Sequence, residues 1–148
     1  MMFKTVSINQ TVIISKNSSQ FPDNNIITDF EFYSYHNRST PGVFFIFECK
    51  PDQEYILNCD ITSTNKDAML IISQKKCKNQ VIRIDTSNGK INENISFNSH
   101  NNKELYLYVL LSGGKKVFNK KVYIKEIKIV PKENPNLILK QLVVKPEL

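Results

Sequence analysis

Short segments in which apolar and polar residues alternate follow one another along most of the chain, separated by polar turns. In Tyr55–Thr62 every second residue is apolar, and in Leu105–Leu111 the aliphatic residues alternate with Tyr106 and Tyr108. A period of two is typical of strands that have one face in a core and the other in solvent. No segment before residue 131 keeps the period of a helix. Many short strands at regular spacing predict a sandwich or a barrel.

Turn and register signals add detail to this pattern. Ser87-Asn88-Gly89-Lys90 carries Asn-Gly, the strongest short hairpin signal in the chain. In the final segment Val122 and Ile124 share one parity while Ile127 and Ile129 share the other, and such a slip predicts a β-bulge. We expect one or two strands at Lys4–Ile8 and Thr11–Ser15, then strands at Asp29–Tyr35, Val43–Cys49, Tyr55–Thr62, Ala68–Gln74, Val81–Asp85, Ile91–Phe97, Leu105–Leu111 and Val117–Val130.

Length and pattern together predict one domain. The chain has 148 residues, enough for two packed sheets around one core. Val43–Cys49 is apolar on both faces, so this strand is expected to lie centrally or to have its outer face covered, most simply by the C-terminal tail. We therefore predict an all-β fold, a two-sheet antiparallel jelly-roll β-sandwich with little or no helix. Residues 1–131 are expected to form the single domain, and residues 132–148 a C-terminal tail or linker.

The net positive charge of the chain is not a strong indication of a nucleic-acid partner. The formal net charge is +6, but 18 of the 20 cations are lysines, and Ile, Asn and Lys number 18, 17 and 18. This joint excess is typical of AT-rich coding, as in many large DNA viruses and AT-rich microbes, so most lysines are expected on a solvated surface. Recognition of phosphates and guanines favours Arg, so nucleic acid is not the expected partner. With no apolar run near membrane-span length and no secretory signal core, the chain is predicted to be intracellular or virion-associated.

The chain has three cysteines, an odd number, and its first residues lack the apolar core of a secretory signal, which together predict reduced thiols. If Val43–Cys49 and Tyr55–Thr62 pair as a simple hairpin, Cys49 lies near the turn and Cys59 far along the partner strand, too distant for a disulfide. All three cysteines are therefore interpreted as small apolar residues of the core.

Four segments follow one another in a recognisable order: Pro41–Phe45, Tyr55–Ser63, a strand that ends at Phe97, and Tyr123–Ile129. Over roughly residues 25–131 this order resembles the jelly-roll carbohydrate-binding-module superfamily, whose members stand beside glycoside hydrolases and glycosyltransferases. The likeness rests on strand order and apolar pattern. Such modules often stack sugars on Trp, and this chain has none.

Side chains on the outward faces of the predicted strands supply the chemistry of sugar recognition. Flat rings cover the C–H faces of pyranoses, while amides, carboxylates and guanidinium groups bind the hydroxyls. If the strands concerned share a sheet, these side chains form one polar-aromatic face. The same residues would also suit a solvated sheet face or a surface for a partner protein. The predicted ligand-binding residues are Tyr106, Tyr108, Asn58, Asp60, Arg83 and Asp85.

The pattern of titratable residues gives little support to catalysis. His36 and His100 lie in loops rich in Asn and Ser, with no neighbour at metal-ligand spacing. The carboxylates occur singly, so no paired acid and base is predicted. The chain is therefore predicted not to be an enzyme and to need no cofactor. The resemblance implies a structural Ca²⁺ as an option, with Asp23, Asp29 and Asp67 as donors, but no spaced cluster of acids points to it and the metal stays open.

The resemblance implies a non-catalytic carbohydrate-binding-like module, appended to a glycosyltransferase or a glycoside hydrolase. The alternative is a viral structural or assembly jelly roll that binds another protein. The partners expected from these two hypotheses are a glycan or a glycosylated protein, and a second copy of the chain or a neighbouring domain.

Overall fold

In the computed structural model of the protein, the residues that the structure describes include ten strands, which build two antiparallel sheets packed face to face. The structure describes residues 12–17, 26–34, 40–64, 66–111 and 120–132, together with the backbone of residues 2–8. Within these ranges the only helical segment is a 3₁₀ turn, Lys75–Cys77. The strands are β1 (Met2–Ile8), β2 (Val12–Asn17), β3 (Ile26–Ser34), β4 (Gly42–Glu48), β5 (Glu54–Ser63), β6 (Ala68–Gln74), β7 (Lys78–Asp85), β8 (Lys90–Asn98), β9 (Glu104–Leu111) and β10 (Lys121–Pro131).

The two sheets have five strands each. Sheet A has the order β1-β4-β9-β6-β7, and sheet B has the order β2-β3-β10-β5-β8. Every neighbouring pair is antiparallel. The prediction of an all-β, two-sheet antiparallel sandwich is therefore confirmed. Two strands begin three residues before their predicted start: β3 begins at Ile26 rather than Asp29, and β7 begins at Lys78 rather than Val81.

Inward residues of both sheets form one core. Phe30 on β3 and Phe45 on β4 are fully buried, and their rings meet edge to face with 5.4 Å between the centroids and 73° between the planes. Because β3 belongs to sheet B and β4 to sheet A, this contact joins the two sheets. Aromatic pairs in this geometry stabilise a core beyond the area that they bury. The other large side chains without exposure include Phe32, Phe47, Tyr55, Leu57, Leu70 and Leu105.

The slip in the last strand is a β-bulge, as predicted. Against β5, the register of β10 shifts between Ile124 and Glu126, so that Lys125 is the extra residue. Ile124 and Ile127 are both fully buried, although their parities differ. Asp29 of β3 lies beside the bulge with a left-handed φ of 51°, which lets β3 follow the same change of phase. The bulge thus keeps both halves of β10 in the core.

β4 lies between β1 and β9, which confirms the central position predicted for its two-faced apolar sequence. Phe45 and Phe47 point into the core, whereas Phe44 and Ile46 are half-buried on the outer face. Residues 133–148, the tail predicted to cover that face, lie outside the described residues. The tail and the boundary near residue 131 therefore stay predictions.

Two hairpins suggested by the sequence do not form. β4 pairs with β1 and β9, and β5 pairs with β10 and β8, so the hairpin considered for β4 and β5 is wrong. The turn at Asn88 and Gly89 does form, with φ angles of 53° and 75° and a bridge between Ser87 and Lys90. It nevertheless carries the chain from β7 in sheet A to β8 in sheet B. Turn chemistry reverses the chain locally, whereas burial of its apolar face decides which sheet a strand joins.

The three cysteines are free thiols, as predicted. Cys49 and Cys59 are buried in the main core, and burial raises the pKa of each thiol to about 11. Cys49 also donates to the backbone carbonyl of Asn102, with 3.3 Å between sulfur and oxygen. Cys77 is half-buried and lies outside the main core, in the 3₁₀ turn. The interpretation as small apolar core residues is therefore confirmed for Cys49 and Cys59, whereas Cys77 packs against a smaller cluster outside the main core.

Alkaline pH is expected to destabilise the fold through Cys49 and Cys59. In the unfolded chain a thiol loses its proton near pH 8.5, whereas in the folded chain these two retain theirs to about pH 11. The folded state therefore binds more protons between these values, so the free energy of unfolding falls as pH rises and levels off above pH 11. Urea denaturation across this range should give a steep fall for the native chain and a shallower one for Cys59→Ala. An equal slope for both would contradict the assignment.

Candidate functional site

The structure divides the six predicted ligand-binding residues between two surfaces. Tyr106, Tyr108, Arg83 and Asp85 lie on the outer face of sheet A, because Ile71 of β6 pairs with both Tyr108 and Arg83. Asn58 and Asp60 lie on the outer face of sheet B, on β5. The expectation that all six share one face is therefore wrong. Its cause is the pairing of β5, which joins β10 and β8 rather than β9 or β7.

Three rings lie side by side on the outer face of sheet A and are called here the aromatic face: Phe44, Tyr106 and Tyr108. In the register of β4 and β9, Phe44 is opposite Tyr108, and Ile46 is opposite Tyr106. The centroid of Phe44 lies 5.7 Å from that of Tyr106 and 5.3 Å from that of Tyr108. The two tyrosine rings are 6.1 Å apart and nearly parallel, at 16°. Cross-strand and same-strand neighbours thus create one continuous aromatic surface.

Exposure differs among the three rings. Tyr108 is only 9% exposed and packs with Met69 and Ile71 of β6 in a small cluster of its own. Phe44 and Tyr106 are half-buried and rest against this cluster. The rings of Phe44 and Tyr106 are therefore the parts of the aromatic face that a ligand can reach, and Tyr108 supports them from the side.

The 3₁₀ turn Lys75–Cys77 lies against Tyr108. The backbone N–H of Lys76 donates to the hydroxyl of Tyr108 with 2.9 Å between nitrogen and oxygen, and Cys77 packs against the cluster around that ring. Lys76 and Cys77 have left-handed φ angles of 61° and 57°. Such angles are costly for residues other than glycine, so contacts elsewhere must stabilise the turn. Tyr108, predicted as a ligand contact, thus also holds this turn in place.

Removal of the Tyr108 hydroxyl is expected to destabilise the fold by about 1 kcal/mol. Tyr108→Phe leaves the ring but deprives the Lys76 N–H of its partner. Tyr106→Phe is the matched control, since the described residues give the Tyr106 hydroxyl no hydrogen-bond partner. Urea denaturation should show a lower midpoint for Tyr108→Phe than for the native chain, and an unchanged midpoint for Tyr106→Phe. Equal midpoints for the two variants would contradict the role given to Tyr108.

Charged side chains border the aromatic face on β7. Nη2 of Arg83 lies 3.4 Å from a carboxylate oxygen of Asp85, and both side chains are well exposed, at 51% and 65%. One strand, β6, separates β7 from β9, so Arg83 lies about 10 Å from Tyr108 across the sheet. An exposed ion pair of this kind adds little to stability and leaves donors and acceptors open to a ligand.

The other two predicted residues line a polar depression of 280 Å³ on sheet B. Asn58 and Asp60 meet Asn92 and Asn94 of β8 and Glu126 of β10 there. The side-chain N–H of Asn94 donates to the side-chain carbonyl oxygen of Asn58, with 2.6 Å between nitrogen and oxygen. No aromatic ring lines this depression among the described residues. Asn92, Asn94 and Glu126 were not predicted, although the alternating asparagines of β8 are visible in the sequence.

Asp29, one of the acids considered for calcium, takes part in an ion pair. Its carboxylate lies 3.3 Å from Nζ of Lys16 and accepts a hydrogen bond of 2.9 Å from the hydroxyl of Tyr123. That hydrogen bond raises the pKa of Tyr123. Asp23 lies outside the described residues. Within the described ranges no group of three or more His, Cys, Asp or Glu side chains lies close enough together to hold a metal ion.

Comparison with known proteins finds similar folds but no similar sequences. Neither family models nor curated protein sequences match the chain.

In the part of the chain that the structure describes, no helix is long and apolar enough to cross a membrane.

Solved structures match at low identity. The N-terminal cellulose-binding domain of Cellulomonas fimi β-1,4-glucanase C has a TM-score of 0.52 at 9% identity, over 82% of this chain and 89% of that domain. A CBM4 structure has a TM-score of 0.52 at 7% identity, over 82% of this chain and 78% of its own. The enzymatically active domain of bacteriophage CBA120 tailspike protein 4 has a TM-score of 0.55 at 10% identity; the match covers 86% of this chain but only 19% of the tailspike chain. The chain has the β-sandwich fold of carbohydrate-binding modules.

Proposed function

We propose that the chain is a non-catalytic glycan-binding module that holds its ligand on the aromatic face of sheet A. The observation that carries this proposal is the pair of half-buried rings of Phe44 and Tyr106, whose centroids lie 5.7 Å apart on an outer sheet face. Aromatic rings of this kind cover the apolar C–H face of a pyranose. The exposed side chains of Arg83 and Asp85 on the same face supply donors and acceptors for hydroxyl groups.

The proposal gives each residue a distinct role. Tyr106 and Phe44 stack on the sugar, Tyr108 fixes the surrounding surface, and Arg83 with Asp85 binds hydroxyls. Since Arg83 lies about 10 Å from Tyr108, a ligand that contacts both the rings and the ion pair is longer than one sugar ring. The proposed ligand is therefore an oligosaccharide, free or attached to a protein.

The fold comparison supports the proposal in two ways. Cellulose binding is the stated property of the Cellulomonas fimi domain, which makes cello-oligosaccharides the first probe. The match also covers 19% of a longer chain, the enzymatically active domain of a tailspike protein. It supports a further proposal, that the chain is a module appended to an enzyme, for which a glycoside hydrolase or a glycosyltransferase is the expected class.

Truncation of one ring is expected to separate the two candidate surfaces. Tyr106→Ala should weaken binding by about 10-fold or more, since it removes the stacking surface. Asp60→Ala, an exchange on the opposite sheet, should leave affinity unchanged. Calorimetric titration with cello-oligosaccharides and with any glycan retained on an array measures both, and matching thermal unfolding curves check the fold. Loss of binding in Asp60→Ala alone would move the site to sheet B and contradict the proposal.

A second candidate function rests on the aliphatic residues around the rings. Ile46, Met69 and Leu110 flank the aromatic face, and a continuous apolar patch of this kind is typical of protein interfaces. The alternative proposal is therefore an assembly module that binds another protein through the same face. An empty glycan array, together with loss of a protein complex in Tyr106→Ala, would favour this function over the first.

A further inference from the structure

The four edge strands of the sandwich differ in regularity. Three of them, β1, β2 and β7, have a register shift in the pairing with their neighbour. The fourth, β8, pairs with β5 through nine consecutive residue pairs without a shift, from Lys90 to Asn98. Bulges protect sheet edges against further pairing, so β8 is the one described edge that lacks this protection.

The backbone of β8 presents its free hydrogen-bonding groups to solvent. The N–H of Ser63 donates to the carbonyl of Gly89 at 2.7 Å, which makes Thr62 and Lys90 a pair without mutual hydrogen bonds. In an antiparallel ladder such pairs alternate, so Asn92, Asn94 and Ser96 also point their N–H and C=O away from β5. Every side chain from residue 92 to residue 96 is exposed. No described residue forms a second ladder along this edge.

The side chains of β8 also leave the edge open. Ile95 is 37% exposed, and among the described residues only Ile13 of β2, at 41%, is a large apolar residue with comparable exposure. Between Ile91 and Asn98 there is no proline, lysine or arginine, and Glu93 is the only charge. Prolines and lysines are the residues that usually block edge pairing.

We propose that β8 pairs antiparallel with β8 of a second copy of this chain, so that the two B sheets form one continuous sheet. The chain's own residues favour a two-fold axis at Ile95. This register places Ile95 opposite its counterpart in a close, non-hydrogen-bonded pair, and Asn94 opposite Ser96 with their outward backbone groups aligned. An axis at Glu93 would instead bring two carboxylates together. A symmetric pairing of this kind closes as a dimer.

Sedimentation equilibrium between micromolar and near-millimolar concentration tests the dimer. The native chain should show a monomer–dimer equilibrium. Ile95→Glu should weaken association about 10-fold or more, since it places two carboxylates opposite each other. Ile13→Glu is the matched control, because it makes the same change at similar exposure on the other edge of sheet B, and it should leave the dimer intact.

A second variant removes a hydrogen bond rather than adding a charge. Asn94→Pro deletes an N–H that points away from β5, so the strand should stay paired within its own sheet while the dimer is lost. Amide hydrogen exchange of the native chain needs no variant: the N–H groups of Asn94 and Ser96 should become protected as concentration rises. A native chain that stays monomeric, or a dimer lost in Ile13→Glu but kept in Ile95→Glu, would overturn the proposal.

Discussion

Replacement of Phe45 by alanine should lower the free energy of unfolding by about 3–5 kcal/mol, the largest effect expected for a single core residue. Phe45 has no exposure and meets Phe30 of the other sheet edge to face, at 5.4 Å. Its loss removes buried apolar area, leaves a cavity between the sheets and breaks an aromatic contact that joins them. Urea denaturation and thermal unfolding measure the change.

The neighbouring residue provides the control for this prediction. Phe44 precedes Phe45 on β4 and points to the outer face, where it is half-buried. Phe44→Ala should cost less than half as much stability, since part of the ring is already in solvent. Phe44→Ala should also reduce glycan affinity. In Phe45→Ala, the molecules that remain folded should keep the aromatic face intact. If the two variants lost equal stability, the assigned orientation of β4 would be wrong.

Gly42→Ala should destabilise the fold by about 3 kcal/mol, because the space for a Cβ is already occupied by backbone. A Cβ at Gly42 would overlap the carbonyl oxygen of Val109 and would lie 2.9 Å from Cα of Leu110. Gly42 begins β4 and is opposite Leu110 of β9, so the two strands must separate to admit a methyl group. The strand pair that would move is the one that carries the aromatic face.

Thermal unfolding of Gly42→Ala tests this close approach of the two strands. Ser96→Ala, a change of similar size on the exposed β8, should unfold at the temperature of the native chain. The Gly42 variant should unfold many degrees lower and bind glycan more weakly, since Phe44 and Tyr106 lie on the two strands concerned. A native-like unfolding temperature for Gly42→Ala would mean that β4 and β9 approach less closely at this point.

The strands of this fold are predictable from sequence because their signals are local. Alternation within eight to ten residues marks a strand, and the slip between Ile124 and Ile127 marks the bulge, without any knowledge of neighbours. Sheet membership is different, since it depends on partners far away in the chain. The turn at Asn88 and Gly89 illustrates the limit: its chemistry fixes a reversal, but the following strand pairs with β5.

The candidate site was predictable in part for the same reason. The shared orientation of Tyr106 and Tyr108 follows from parity alone. The sequence shows that Val43–Cys49 is apolar on both faces, but it does not link Phe44 of this strand to those rings. The sequence predicts that Asn58 shares a face with the tyrosines, which is wrong because strand pairing depends on partners far away in the chain. The contact between Tyr108 and Lys76 had no signal, since the turn uses left-handed residues other than glycine.

Binding of a glycan to the aromatic face of sheet A is tested most directly by mapping backbone amide chemical shifts during a glycan titration. Cello-oligosaccharides and any glycan retained on an array serve as ligands. We expect the amide signals of Phe44, Tyr106 and Arg83 to shift until the protein is saturated, while those of Asn58 and Asp60 do not shift. Shifts centred on Asn58 and Asp60, with the aromatic face unmoved, would contradict it.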